Sequence, residues 1–301
     1  MLPLVVLIGM ASALVFGSAD FLGGLASKRI SSLRVTAVAA AVGLGALLVA
    51  YPIVGGAWSW SAVGFGALSG VCGAGAISLL YACLAIGPMS ILSPLTAVVS
   101  AIVPAVIGIV VYDEHFGPLG YIALGLALVA VVLVGFVRDS RAVHPTPRGI
   151  LMAIGSGICI GLFLVCINLT PKDSGLVPLI ANRGTNAIIM FATVGILALL
   201  ARRTARTSPL PAGSAEVATT RGSWRPGIRL AIACGIVDAT ANCGLLLGIR
   251  IGDLSVMAVL TALYPAGTII LAAIILKERI AVVQYIGLAL AIGAGALLAL
   301  D

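Results

Sequence analysis

Two stretches of the chain, YIALGLALVAVVLV at 121–134 and YIGLALAIGAGALL at 285–298, are similar enough to indicate an internal repeat. Each is an apolar run that fits a helix crossing a bilayer, which needs about 20 mostly apolar residues. Upstream of them, Glu114 corresponds to Glu278 at the same offset of 164. The chain is therefore predicted to be built from two related halves.

Further matches extend the repeat along the chain. The turn Gly87-Pro88-Met89-Ser90 corresponds to Gly252-Asp253-Leu254-Ser255 at an offset of 165. Nearer the start of each half, the residues that correspond are Ala11, Ser12 and Gly17 with Gly155, Ser156 and Gly161. We expect a first five-helix repeat over 1–137, a connection over 138–148 and a second five-helix repeat over 149–301.

The composition places the whole chain in a membrane. Hydrophobic residues make up 61% of the 301 residues and charged residues only 9%, whereas a soluble domain has about 45–50% and about 25%. The net charge of +7 does not indicate a nucleic-acid partner, because the basic residues lie in short connections between apolar runs. We expect a multi-pass protein of the bacterial plasma (inner) membrane, with the lipid bilayer as a partner.

Hydropathy predicts an all-α protein with ten transmembrane helices. The expected spans are 3–24, 34–54, 61–83, 89–111, 119–137, 149–169, 177–201, 228–250, 254–276 and 281–300. Residues 202–227 are rich in Arg, Ser, Thr and Pro, and we expect a mobile basic loop there.

The basic residues predict the orientation. Apart from Lys172, Arg183 and Arg250, the 17 Lys and Arg residues lie in or beside odd-numbered connections. The positive-inside rule then places those connections in the cytoplasm and both termini outside. Five helices per repeat mean that the second repeat is inverted in the membrane, which is a plan of many secondary transporters.

Several short motifs stand out along the chain: Phe16-Gly17-Ser18, Asp20-Phe21, Asn242, Leu254-Ser255-Val256, Leu263-Tyr264-Pro265, Lys277-Glu278-Arg279 and Gln284. Together they resemble the EamA family of the drug/metabolite transporter superfamily. The resemblance implies a carrier with a central cavity lined mainly by the first, third and fourth helices of each repeat. It also implies cytoplasmic termini, which conflicts with the orientation that the charges predict.

Asp238 and Asn242 are the strongest candidates for a substrate or proton site. Asp238 lies about ten residues into the eighth helix, where a carboxylate costs roughly 2.5–3.5 kcal/mol and is usually functional. Asn242, four residues on, lies on the same helix face. The structural alternative is a hydrogen bond to another helix. In the first half, Gly73 and Ile77 occupy the corresponding positions, so the repeat does not require these polar residues.

Asp20 and Ser18 form a second candidate group on the first helix. Asp20 could bind substrate or a coupling proton, or it could pair with Lys28 near the interface. Beside them, Gly17 and Ser18 leave room for close approach of a helix or a substrate.

Arg183 and four further side chains complete the candidate site. Arg183 could pair with a carboxylate, bind an anionic substrate group or extend to the outer interface. Asn182 and Asn186 are expected to line the same region. Tyr264, before a helix-kinking proline, and Tyr81 could contact substrate, although packing against other helices is the commoner role for such aromatics.

Enzyme motifs are absent from the sequence. There is no H-E-x-x-H, P-loop or G-x-S-x-G motif, and the six cysteines show no metal-type spacing. We therefore expect no enzyme activity, metal or cofactor, apart from a proton gradient as an energy source.

The leading hypothesis is a secondary active transporter that exports a small organic metabolite or drug by alternating access. The alternative is a non-transporting membrane subunit or lipid-handling partner that uses its helix faces for assembly. Either a monomer or a homodimer is compatible with the sequence.

Overall fold

A computed structural model describes residues 2–86, 89–135, 146–207, 227–277 and 281–300. Within these ranges the chain forms α-helices and one short 3-10 helix, Lys172–Ser174, and no strand. The α-helices are α1 (Leu2–Ser27), α2 (Ser32–Val54), α3 (Trp60–Ile86), α4 (Met89–Val111), α5 (Pro118–Gly135), α6 (Pro147–Asn168), α7 (Val177–Thr207), α8 (Ile228–Ile251), α9 (Leu254–Thr261), α10 (Tyr264–Ile275) and α11 (Val282–Leu300).

Among the described residues, ten stretches are long and apolar enough to cross a membrane, and each overlaps one predicted span. The ninth, Leu254–Ile275, contains two helices, because α9 ends at Thr261 and α10 begins at Tyr264. Pro265 lies in the first turn of α10, where its missing N–H leaves no helical hydrogen bond unmade. The kink predicted at Tyr264-Pro265 is therefore a break between two short helices.

The predicted loop over 202–227 begins too early, because α7 continues to Thr207. Ala and Arg favour helix, and the segment Ala201–Arg206 consists mainly of these two residue types. The rest of that loop, over 208–226, lies outside the described residues, as do Glu278 and the turn at Gly87-Pro88.

Glu114 holds the start of a helix in the opposite half. Its Oε1 accepts a hydrogen bond from the backbone nitrogen of Leu254 at 2.7 Å, and Oε2 accepts one from Ser255 at 3.0 Å. The Ser255 hydroxyl also donates to Oε2. Partial burial and the Glu114 carboxylate raise the pKa of the adjacent Asp253. Glu114 binds α9 rather than the next helix in the chain, because α4 packs against α9.

The helices pack in a pattern that is preserved when the two halves are exchanged. The contact of α3 with α6 corresponds to that of α8 with α1, and α3 with α7 corresponds to α8 with α2. The pairs α5 with α11 and α2 with α7 map onto themselves. Most of the core therefore lies between the halves. The inversion of the second repeat in the membrane stays a prediction.

Residues that correspond between the two repeats make corresponding contacts. A Cβ on Gly17 would meet the backbone of Tyr264 and Thr268 in α10, and one on Gly161 would meet Val103 in α4. The Ser156 hydroxyl likewise donates to the carbonyl of Ala76 in α3 at 2.8 Å. Close packing between the halves thus depends on small residues at equivalent positions.

Candidate functional site

An ion pair joins α7 to α8 within their membrane-spanning segments. The guanidinium Nη2 of Arg183 binds Oδ2 of Asp238. The side chains are only 12% and 22% exposed, so bulk water screens the pair weakly. Of the three alternatives for Arg183, the structure shows the one in which it pairs with a carboxylate.

Asn242 completes this cluster one helical turn beyond Asp238. Its Nδ2 donates to the Asp238 carbonyl at 2.8 Å and approaches Oδ1 of the same residue at 3.3 Å. Its Oδ1, like Nε of Arg183, is buried without a hydrogen-bond partner among the described residues. The cluster therefore retains one acceptor and one donor that its own members leave unused.

Small residues leave space for the polar groups of α7. A Cβ on Gly43 in α2 would lie 3.6 Å from Cδ of Arg183, and one on Gly73 in α3 would lie 3.2 Å from Nδ2 of Asn186. Gly73 is the repeat counterpart of Asp238. Arg183 therefore lies beside Asp238 in the second half, and Asn186 lies beside the equivalent position, Gly73, in the first half. Only the position in the second half carries a carboxylate.

Asn182 and Asn186, which we expected to line the same region as Arg183, face a different helix. Nδ2 of Asn182 donates to the Ser69 hydroxyl in α3 at 2.7 Å. Asn186 is buried beside Gly73, and its Oδ1 has no partner among the described residues. Residues four apart share a helix face, so both asparagines face α3 while Arg183 points to α8.

A cavity of about 210 Å³ lies between the two halves. Its walls come from α1, α3 and α4 and from α6, α8, α9 and α10, which are the first, third and fourth membrane spans of each half. The resemblance in the sequence implied this arrangement. Most lining residues are apolar, including Phe16, Ile160 and Phe163.

Asp20 and Tyr264 line this cavity. Asp20 is exposed and lies close enough to Asp238 and Tyr264 for its charge to affect both. It forms no ion pair with any described residue, and Lys28, its suggested partner, is exposed. The ion pair therefore lies close enough to the cavity for Asp238 to interact electrostatically with Asp20, although Asp238 itself is not on the cavity wall.

The remaining candidates have other surroundings. The Ser18 hydroxyl donates to the carbonyl of Leu14 at 2.8 Å within α1. The side chain of Tyr81 lies outside the part of the chain that the structure describes. Gly17 brings α1 against α10, and the Thr268 hydroxyl donates to its carbonyl at 3.0 Å, so this glycine serves helix packing.

Sequence reasoning missed two hydroxyl groups in the cavity wall, Ser100 and Thr261. Each donates its proton to a carbonyl of its own helix, to Ala97 at 2.8 Å and to Met257 at 2.6 Å. Only the lone pairs of these hydroxyls remain for a ligand. Hydroxyl residues in an apolar helix commonly make such bonds, so the sequence alone did not single them out.

Arg250 also has a role that the sequence did not predict. Its guanidinium donates to the carbonyl of Thr170 at 2.6 Å, to the Thr170 hydroxyl at 2.5 Å and to the Ser174 hydroxyl at 3.2 Å. It therefore ties the end of α8 to the connection between α6 and α7.

These features define a helical membrane protein with a central cavity and a buried charge pair, the class that includes membrane carriers. The model of the EamA-like transporter family matches residues 147–300, about half of the chain and nearly all of the predicted second repeat. The chain therefore belongs to this family, which is part of the drug/metabolite transporter superfamily.

A solved crystal structure of a protein is similar to the whole chain. The match covers 100% of this chain and 98% of the other, with a TM-score of 0.70 and 17% identity. At that identity the similarity shows the fold alone. No curated protein matches the chain.

Proposed function

We propose that this protein is a secondary active transporter that exports a small organic molecule and uses the proton gradient. Membership of a transporter family supports transport in general. Direction, coupling and substrate are our proposals. The main supporting observation is the Arg183–Asp238 ion pair, partly buried at the interface of two membrane helices beside the central cavity.

The ion pair suggests how a proton could drive movement. A proton on Asp238 would remove the negative charge that holds Arg183, and α7 would lose its charged contact with α8. In the second half, α7 is the second helix and α8 is the third. Breaking this contact would therefore change how the helices around the cavity pack. Asp238 is thus the first proposed proton carrier, and Asp20 in the cavity wall is the second.

The arrangement of polar groups favours transport over the alternative of a non-transporting subunit or lipid-handling partner. In that alternative, polar side chains would be scattered or would face partner helices. Here Asp238 contacts both Arg183 and Asn242, and Asp20 is near enough to interact with Asp238. Of these groups Asp20 lies on the wall of the inter-repeat cavity and the other three lie beside it; a site at the interface of two repeats is typical of carriers.

Reconstitution into liposomes tests the proposal. A thermal-shift screen over amino acids, cationic drugs and sugars first identifies a compound that stabilises the purified protein. Its movement is then measured with an imposed pH gradient of either sign, which also reveals the preferred direction. We expect gradient-driven accumulation by the wild type. We expect Asp238→Asn to lose that accumulation while keeping exchange of compound for compound.

A matched control is Asp173→Asn, which changes an exposed carboxylate near the connection between α6 and α7. It should transport like the wild type. Full gradient-driven accumulation by Asp238→Asn would show that this residue is not the coupling site. Failure of every compound to cross the membrane would count against transport itself.

A further inference from the structure

We propose that the cavity binds an amphipathic cation, an ammonium group attached to a small apolar body, with Asp20 as its counter-charge. This inference rests on the proposed transport function and names the chemical class of its substrate.

The charges around the cavity leave one negative charge without a partner. Arg183 and Asp238 neutralise each other, whereas Asp20 forms no ion pair with a described residue. The Asp20 carboxylate is exposed on the cavity wall, where a nearby positive charge would attract it. Since the described chain supplies none, a cationic ligand can.

The hydrogen-bonding groups of the cavity wall also favour a cationic ligand. Ser100 and Thr261 use their protons within their own helices, so they present acceptors to the cavity. The Asp20 carboxylate is also an acceptor, and the Tyr264 hydroxyl can act either way. An ammonium group offers up to three donors and no acceptor, which fits this set. A carboxylate ligand would meet acceptors and a like charge.

The rest of the wall fits an apolar body of limited size. Phe16 and Phe163 are among the apolar residues of the wall, and Phe16 lies one helical turn before Asp20 in α1. Aromatic faces also attract cations. The volume of about 210 Å³ is below the roughly 300 Å³ at which typical ligand pockets begin, so we infer a compact ligand.

Equilibrium binding to the purified full-length protein in nanodiscs tests this class without requiring transport. The probes are three molecules of similar shape and different charge: phenethylammonium, neutral 2-phenylethanol and anionic 3-phenylpropionate. Binding is measured by calorimetry at mildly alkaline pH, where the amine remains protonated. We expect the cation to bind roughly ten- to a hundredfold more tightly than the alcohol, the contribution typical of a charged hydrogen bond.

Asp20→Asn should remove this preference, so that the cation and the alcohol bind alike. Asp113→Asn is the control, because Asp113 is 90% exposed and lies away from the cavity; it should bind as the wild type does. The comparison of the three probes on the wild type remains decisive if Asp20→Asn does not fold.

The proposal is overturned if the alcohol or the anion binds as tightly as the cation, if none of the three binds, or if Asp20→Asn keeps the preference. Binding of the cation without its transport in liposomes would support the ligand class and the role of Asp20, and would refute the proposed transport function instead.

Discussion

The Arg183–Asp238 pair places two charges in a region where each alone would be costly. Removing one partner of a buried pair is strongly destabilising, because the other charge remains buried and unpaired. Replacing both with apolar residues of similar size is often nearly neutral. Asp238 can therefore contribute to function even if the pair adds little net stability.

A double-mutant cycle tests this at the residue scale. We expect Asp238→Leu to lower the free energy of unfolding by roughly 3–5 kcal/mol, since Arg183 then lacks its partner. Adding Arg183→Met should restore much of that loss. Pulse proteolysis in detergent measures each variant. If the losses of the two single variants simply add in the double variant, the side chains do not interact in the folded protein.

The sequence predicted part of this cluster for a simple reason. Asp238 and Asn242 are four residues apart on one helix, and helical spacing alone brings them together. The partner of Arg183 was left open, because its distance to Asp238 depends on how α7 is rotated against α8. The same uncertainty explains why Asn182 and Asn186 were expected to line the region of Arg183, whereas they face α3.

At the scale of the helices, close contacts across the halves depend on individual glycines. A Cβ on Gly17 would clash with the carbonyl of Tyr264 and with the backbone nitrogen of Thr268, which would be only 2.6 Å from it. These are backbone atoms, so α1 and α10 would have to separate to admit a side chain. The break between α9 and α10 lies directly beside this contact.

Gly17→Ala should therefore destabilise the protein, by roughly 1–3 kcal/mol for a small residue made too large. Gly24→Ala in the same helix is the matched comparison, since nothing lies within 4 Å of its Cβ position. Alanine favours helix over glycine by roughly 0.5–1 kcal/mol, so this variant should be as stable as the wild type or slightly more. Equal melting temperatures for the two variants would contradict the close contact at Gly17.

The bonds of Glu114 to the start of α9 make a second link between the halves. Glu114→Gln keeps the shape of the side chain but loses the charge and one of the two acceptor oxygens. Hydrogen bonds to charged groups contribute about 1.5–3 kcal/mol each, so we expect a loss of stability of that order. Differential scanning fluorimetry can measure it.

Asp113→Asn serves as the control for Glu114→Gln because it neutralises the adjacent, exposed carboxylate. Asp113 has a φ of 58°, a conformation that asparagine also tolerates. Its melting temperature should match that of the wild type. A similar loss in both variants would point to general charge effects in this connection rather than to the bonds at α9.

At the scale of the whole molecule, the internal repeat of the sequence corresponds to a repeat in the packing of the helices. Offsets of 164 and 165 residues related the two halves in the sequence, and the packing of α3 on α6 and α8 on α1 has the matching pattern. Helix positions were predictable because long apolar runs must span a bilayer. Asp20 and Tyr264 in the cavity wall were candidates from the sequence, whereas Ser100 and Thr261 were not, since their sequence surroundings are unremarkable.

The orientation in the membrane is the remaining prediction for the whole molecule. All but three of the 17 basic residues lie at odd-numbered connections, so the positive-inside rule places both termini outside. Alkaline phosphatase fused after Asp301 should then be active in a bacterial host, and green fluorescent protein at the same position should be dark. Insertion of either reporter within 208–226 should give the reverse pattern. A fluorescent fusion after Asp301 would instead indicate cytoplasmic termini, and the basic connections would then face outward.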